Sequence, residues 1–311
     1  MKIHKSVGEL IGKTPILELV NIEKECSSKI FAKLEMLNPA GSSKDRVAMG
    51  ILDQAEREGK IKSGGTIIES TSGNTGIGLA SVGACRGYSV IIVMPDTMSK
   101  ERIQIMEAYG AKVLLSDGAL GMKGANDLAQ KIAKETPNSF VASQFENMAN
   151  PNSHYLTTGP EIFDDMDGQI DYFVCAVGTG GTISGVGKYL KEKNKNIRIV
   201  AVEPKNSPLL SGGVAGAHKI QGIGANFIPT TLNREIYDEI ITVSDEDAYK
   251  YTVEISQKEG ILAGISSGCA LCAAMEIAKR ERDKNIVVLF PDTGTRYLSN
   301  GVWDNSDKTF N

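Results

Sequence analysis

The chain predicts an α/β protein with mainly parallel sheets flanked by helices, divided into two domains. Three observations lead there. β-Branched apolar runs alternate with stretches of helical periodicity, the apolar runs are continuous rather than alternating, and 311 residues exceed what one hydrophobic core usually serves. A strand covered by helices on both faces has no wet side to mark with polar residues, so continuous apolar runs read as parallel strands.

In order, TIIES at 66–70 leads into a helix at 75–86, SVIIVM at 89–94 into one at 99–109, and AKVLLS at 111–116 into one at 122–135. A second series starts with YFVCAV at 172–177 and a helix from about 182, continues through IRIVAVE at 197–203 and helices at 245–259 and 267–281, and ends with IVVLF at 286–290. Between the series lies SQFENMANPNSHYLTTGPEI, whose Asn, Pro, Ser and Thr content reads as a connector leading into a helix, and the domain boundary is placed there. The chain shows no internal repeat and ends soon after the last strand, so no appended regulatory domain is expected.

Composition removes several function classes. A net charge of −4, with no cluster of Lys and Arg interleaved with aromatics, gives nucleic acid nothing to bind. The start, MKIHKSVGELIGKTP, lacks a signal peptide's apolar stretch, and no later run would span a bilayer; a cytoplasmic protein away from membranes is expected. Five scattered cysteines, an odd number, do not form a secreted disulfide framework. Cys269 and Cys272 form C-x-x-C without a second pair and read as small hydrophobes in a helix. His4, His154 and His218 have no metal-ligand spacing, and no metal is expected.

Ligands of open α/β sheets gather at the carboxyl ends of strands, so the loops there come first. YFVCAV runs into Gly178-Thr179-Gly180-Gly181-Thr182 and at once into a helix pattern. Glycines admit a close backbone approach, and free N–H groups at the positive helix end favour an anion. The segment is neither G-x-G-x-x-G nor a P-loop, which points to a monophosphate rather than a dinucleotide or triphosphate. A tight turn without ligand would use the same glycines. The second loop, Ser70-Thr71-Ser72-Gly73-Asn74-Thr75-Gly76, is dominated by hydroxyls. Thr71, Ser72 and Thr75 with helix-terminal amides suit a carboxylate, though an N-cap needs the same residues. In the third, Asn38-Pro39-Ala40-Gly41-Ser42-Ser43-Lys44-Asp45-Arg46, a loop enters a helix with Lys44 near its start. The helix dipole disfavours the charged amine there and lowers its pKa toward the neutral form that Schiff-base chemistry uses. Alone, Lys44 reads as a surface lysine paired with Asp45.

Together NPAGSSKDR, ESTSGNTG, MPDTMSKER, SQFEN followed by ANPNSHYLTTGPEI, VGTGGTISG, GILAGISSG and PDTGTRYLS resemble the motifs of the cysteine synthase (O-acetylserine sulfhydrylase) family, relatives of cystathionine β-synthase. The resemblance starts at IGKTPILEL, 11–19, and covers nearly the whole chain. It implies a tryptophan synthase β-like pyridoxal-phosphate fold, a homodimer, and a small mobile domain at 35–144 closing on a larger cofactor-binding domain of 1–34 with 145–311. It makes Lys44 the lysine that carries pyridoxal 5'-phosphate, Asn74 the partner of the cofactor's phenolic oxygen, Gly178, Thr179, Gly180, Gly181 and Thr182 the phosphate site, and Ser266 the neighbour of the pyridine nitrogen. Thr71, Ser72, Thr75 and Gln144 become the clamp for the substrate carboxylate. A serine at the ring nitrogen does not hold it protonated, which favours loss of a β-substituent over a long-lived carbanion. The implied reaction is β-replacement through an aminoacrylate, giving cysteine from O-acetylserine and sulfide.

Three positions depart from the family pattern. Asn226 in GIGANFIP stands where sulfhydrylases have Gly and the cystathionine-forming branch has Asp, which opens the second substrate to a larger thiol or to water. Ser43 replaces a usual Val or Ile, and Ile103 a common Arg. A cysteine- or serine-using enzyme that releases hydrogen sulfide or forms lanthionine or cystathionine is therefore an alternative. So is a non-catalytic binder of the serine acetyltransferase C-terminal peptide, against which intact Lys44 and Asn74 argue.

Overall fold

The structure is a computed structural model that describes residues 3–97 and 100–304. The first half of the chain forms Ile16–Glu18 (β1), Lys29–Leu34 (β2), Lys44–Arg57 (α1), Thr66–Ser70 (β3), Asn74–Arg86 (α2), Ser89–Pro95 (β4), Lys100–Ala108 (α3), Lys112–Ser116 (β5), Gly121–Glu135 (α4) and Ser139–Val141 (β6). The rest forms Ala149–Leu156 (α5), Thr158–Asp165 (α6), Tyr172–Ala176 (β7), Gly181–Lys193 (α7), Arg198–Pro204 (β8), Glu239–Val243 (β9), Asp245–Glu259 (α8), Ile265–Arg280 (α9) and Asn285–Phe290 (β10). The helix expected at 99–109 is thus α3, with Ser99 and its neighbour Met98 of the MPDTMSKER motif outside the described residues.

Two sheets result. One has the order β5-β4-β3-β6 and is parallel throughout; the other has the order β1-β2-β10-β7-β8-β9 and is parallel except for the β1–β2 pair. Helices cover both faces of each. Ile67 and Ile92 pack toward Val47 and Ile51 of α1 and Leu79 of α2, while Ile68 and Val93 pack toward Ala125 and Ala129 of α4. In the larger sheet, Val174 and Val288 face Cys269 and Ala273 of α9, and Phe173 and Val287 face Ile183 and Val186 of α7. The connector is more regular than its composition suggests and holds two short helices, α5 and α6.

Parallel pairing puts the carboxyl ends of β3, β7 and β10 on the side of one cleft, which is lined by Asn74, Gly178, Ser266 and Asp292 from the loops and helix starts that follow. The start of α1 is fixed there by close helix packing. A Cβ added to Gly78 of α2 would lie 2.8 Å from the Lys44 carbonyl oxygen and 3.0 Å from its carbon, contacts with backbone that cannot swing aside. Gly78→Ala is therefore expected to push α1 from α2 and to lower stability by about 1–3 kcal/mol. A reduced urea midpoint at unchanged slope would register it.

Candidate active site

Lys44 opens α1, and the loop after β10 holds that opening. The Ser43 N–H donates to the Pro291 carbonyl at 2.8 Å and the Thr293 N–H to the Gly41 carbonyl at 3.3 Å, so the loop after β10 pins the loop before α1. Gly41 makes the turn at φ +83°, a left-handed conformation that glycine adopts without strain. The Lys44 side chain lines the cleft, where burial lowers its pKa against the attraction of the Asp292 and Glu35 carboxylates. Asp45 does not pair with it; its carboxylate accepts from the Ala40 N–H at 2.6 Å. Beneath the cleft floor on β7, burial holds the Cys175 thiol neutral, with its pKa pushed up to about 12.

Across from Lys44, β7 ends in Gly178-Thr179-Gly180 and α7 begins at Gly181. No side chain fits at these glycines. A Cβ on Gly178 would stand 2.5 Å from the Gly222 carbonyl oxygen, one on Gly181 would stand 2.0 Å from Asn150 Oδ1, and Gly180 has φ +79°. The Thr179 hydroxyl oxygen accepts from Asn150 Nδ2 at 2.9 Å, which leaves its own proton to donate. Thr182 Oγ1 lies 3.1 Å from His154 Nε2, and His154 Nδ1 lies 2.8 Å from Thr158 Oγ1. Burial first, then the positive charges of Lys44 and Arg46, push the His154 pKa well below its ordinary value, so the imidazole is neutral. Backbone N–H groups, hydroxyls and the helix end thus supply the attraction for an anion. A cradle closed to Cβ atoms, with two hydroxyls at its rim, suits the phosphate of a cofactor.

Asn74, at the first position of α2, donates from Nδ2 to Asp292 Oδ2 at 2.7 Å, and its Oδ1 accepts from Arg296. Tyr297 donates to the same Asp292 oxygen at 2.6 Å. Asp292 is fully buried, and its place requires Gly264, where a Cβ would meet Asp292 Oδ1 at 2.0 Å. Ser266, in the first turn of α9, is buried and lines the cleft. PDTGTRYLS enters the family resemblance only as a motif, and no role for Asp292 or Tyr297 follows from it. Their signal was an acid and an aromatic directly after a strand end.

The hydroxyl-rich loop lies beside the cleft. Thr71 Oγ1 accepts from the Gly73 N–H at 3.1 Å, and the Thr75 hydroxyl donates to Gln144 Oε1 at 2.5 Å, so residues 69 positions apart meet. The Ser72 carbonyl accepts from Arg102 of α3 at 3.1 Å; the other Arg102 nitrogen reaches Gln221 Oε1 at 2.8 Å on the opposite wall. Asn226 is exposed on the segment after Gly224, outside the deep cleft, where the neighbouring Phe227 packs edge-on against Phe145. Ser43 is buried and lines the cleft, whereas Ile103 packs against the apolar core of the four-stranded sheet. Cys269 is buried in the core of the larger sheet with Cys272 packed against it.

A lysine whose charge burial disfavours faces a glycine turn and a helix start across the carboxyl ends of parallel strands, and the family model for pyridoxal-phosphate dependent enzymes matches residues 7–292: the chain belongs to that class. Within that class its relatives are cysteine synthases. Cysteine synthase B of Campylobacter jejuni is 52% identical over 303 residues, covering 97% of this chain and 100% of the relative. The crystal structure of cysteine synthase from Entamoeba histolytica superposes with a TM-score of 0.95 at 45% identity, covering 99% of this chain and 93% of that one. A hydrogen sulfide-producing enzyme from Fusobacterium nucleatum superposes with a TM-score of 0.92 at 47% identity, covering 95% and 100%.

Proposed function

We propose that this enzyme makes cysteine from O-acetylserine and sulfide by β-replacement, with Lys44 as cofactor anchor and base. The observation that carries the reading is the placement of the Lys44 amine, its charge disfavoured by burial, in one cleft with the Gly178–Gly180 turn, Asn74 and Ser266. Bound there, pyridoxal phosphate supplies the electron sink that acidifies the α-proton of an amino acid.

The residues divide the work. Gly178, Thr179, Gly180, Gly181 and Thr182 hold the phosphate, Ser266 faces the ring nitrogen without protonating it, and Asn74 steadies the phenolic oxygen. Thr71, Ser72, Thr75 and Gln144 bind the substrate carboxylate. The Lys44 amine, once free, takes the α-proton as the β-substituent leaves. Residues 35–144 move as a unit over the bound amino acid and exclude water, with Arg102 spanning from Ser72 to Gln221 at the mouth. The same reading includes a cytoplasmic homodimer. It also includes docking of the serine acetyltransferase C-terminal peptide, whose terminal carboxylate suits the same clamp.

A second reading is favoured by Asn226, a polar side chain on an exposed loop where sulfhydrylases have Gly. Cysteine or serine would then be the first substrate, with hydrogen sulfide, lanthionine or cystathionine as product. One assay separates the two. Purified holoenzyme, identified by a visible absorption band that borohydride removes, is offered O-acetylserine, serine or cysteine with sulfide, homocysteine or no second substrate. Cysteine formed fastest from O-acetylserine and sulfide is the expected result. Pyruvate as the sole product overturns β-replacement.

A further inference from the structure

Glu69 is a buried acid that the proposed reaction does not use. It stands near the end of β3 with 2% of its surface exposed. The neighbouring chain leaves the β3–β6 ladder at Ala142, whose N–H still donates to the Ile68 carbonyl at 3.0 Å. At Ser143 the backbone turns left-handed, φ +52°. The next two N–H groups then find a side chain instead of a carbonyl. Ser143 donates to Glu69 Oε2 at 2.8 Å and Gln144 to Glu69 Oε1 at 3.4 Å. Successive N–H groups converging through a left-handed residue make an anion-binding nest, and here the anion belongs to the chain itself. The N–H groups of Glu146 and Asn147 close the turn onto the Ser143 carbonyl, both at 2.9 Å. Gln144, so held, receives the Thr75 hydroxyl.

We propose that Glu69 is a positioning residue for the amino-acid carboxylate: by filling the nest of Ser143 and Gln144 it keeps Gln144 in register with Thr75, and only its charged form does so fully. The inference rests on the reading of Thr71, Ser72, Thr75 and Gln144 as the carboxylate clamp. A carboxylate accepts from both N–H groups, whereas a protonated acid carries a hydroxyl that competes with one of them.

Burial pushes the Glu69 carboxyl up to about 7, against the hydrogen bonds from Ser143 and Gln144, and Glu146 in the same turn pushes the same way. The flanking strands β4 and β6 carry no ionisable side chain, and α2 carries only Cys85 and Arg86, at its far end. On the opposite face, α4 leaves Lys123, Asp127, Lys131, Lys134 and Glu135 exposed. The folded pKa lies above the ordinary carboxyl value, so the charged, clamp-holding form is present above about pH 7 and is lost as pH falls through it.

The test is KM and kcat for the amino-acid substrate in wild type, Glu69→Gln and Glu69→Asp, with Thr75→Ala as the control for the clamp. The substrate's own amine titrates alike in all of them, so the readout is the ratio of variant to wild-type KM. For Glu69→Gln the ratio is expected at about tenfold near pH 8, falling toward one near pH 6, with kcat within about twofold and the cofactor absorption band intact. Glu69→Asp, which keeps an acid but falls one methylene short of the two N–H groups, is expected at a smaller ratio above one near pH 8 that also falls toward one near pH 6. A Glu69→Gln ratio of one at every pH, while Thr75→Ala raises KM, overturns the role of Glu69 and leaves the clamp standing. Unchanged KM in Thr75→Ala as well overturns the clamp, and the inference with it. Should Glu69→Gln fail to fold, a Glu69→Asp to wild-type KM ratio of one at every pH overturns the proposal, because an acid one methylene short of both N–H groups would then serve as well as Glu69.

Discussion

Lys44→Ala is expected to lower turnover by about 10³-fold or more, because the cleft offers no second base. Among the described residues lining it, Lys44 is the only Lys, Arg or His. The other ionisable groups there are committed: Asp292 accepts from both Asn74 and Tyr297, and burial holds the Tyr297 phenol well above its ordinary value. Cys175, closest to Lys44 from below, is held as a neutral thiol. The variant is also expected to lose the covalently held cofactor: after borohydride treatment and denaturation, gel filtration leaves the chromophore on the wild type and separates it from the variant. Small primary amines should restore part of the activity, since they supply what the alanine lacks. Lys44→Arg should restore none, because guanidinium stays charged throughout the working range. The lowered pKa gives the pH dependence its sign: the neutral amine persists to lower pH than an ordinary lysine's, so the acid limb of kcat is displaced to lower pH. Turnover of Lys44→Ala within about tenfold of wild type would remove Lys44 from the chemistry.

What the sequence could say about this site depended on how local the information was. Gly178–Thr182 was legible because strand, glycine turn and helix are consecutive, although the neighbours that exclude a Cβ there, Gly222 and Asn150, are distant in sequence. Parallel strands such as β7, β8 and β10 were legible because burial on both faces leaves a continuous apolar run. β1 and β6 were not, being three residues each and borrowing their order from a neighbour. β2 was hidden by Lys33, which reads as a solvent-facing residue until its partners Glu161 and Asp165 arrive from α6. Glu69 follows the same rule. A carboxylate at a strand end looks exposed unless one knows that Ser143, 74 positions later, brings an N–H to it. Asn74 was assigned to the cofactor, but its tie to Asp292 spans 218 positions, and no local pattern carries that. Long-range polar partnerships decide which charged residues are buried, and they are the part of the site a linear reading loses.

The largest such partnership gives the second strong prediction. Arg46, two residues beyond Lys44, donates from Nε and Nη2 to Glu35 at 2.7 and 2.8 Å and from Nη1 and Nη2 to Glu161 at 2.7 Å each. Its side chain is 2% exposed and that of Glu35 is 0% exposed. Lys33 joins at Glu161 Oε2, 3.0 Å away. These contacts tie α1 to the turn after β2 and to α6, and so fix the helix that begins with Lys44. An apolar replacement of the whole cluster could leave stability unchanged, but removing one member strands charges that water cannot reach. Arg46→Met is therefore expected to cost about 3–5 kcal/mol, read as a lowered urea midpoint, and to lower cofactor affinity because α1 loosens. The pH dependence distinguishes this cause from simple repacking. Burial alone would raise the Glu161 carboxyl, yet hydrogen bonds and attraction from Arg46, with smaller help from Lys13 and Lys33, hold it at about 2 against an ordinary 4.5. A depressed carboxyl contributes stability above its unfolded pKa and surrenders it as pH falls toward the folded one. The gap between 4.5 and about 2 allows up to about 3 kcal/mol for this group. Wild-type stability should thus fall more steeply between about pH 5 and about pH 2 than that of Arg46→Met, whose Glu161 keeps only the Lys13 N–H and Lys33. Parallel curves for the two proteins would show that Arg46 contributes through its packing alone.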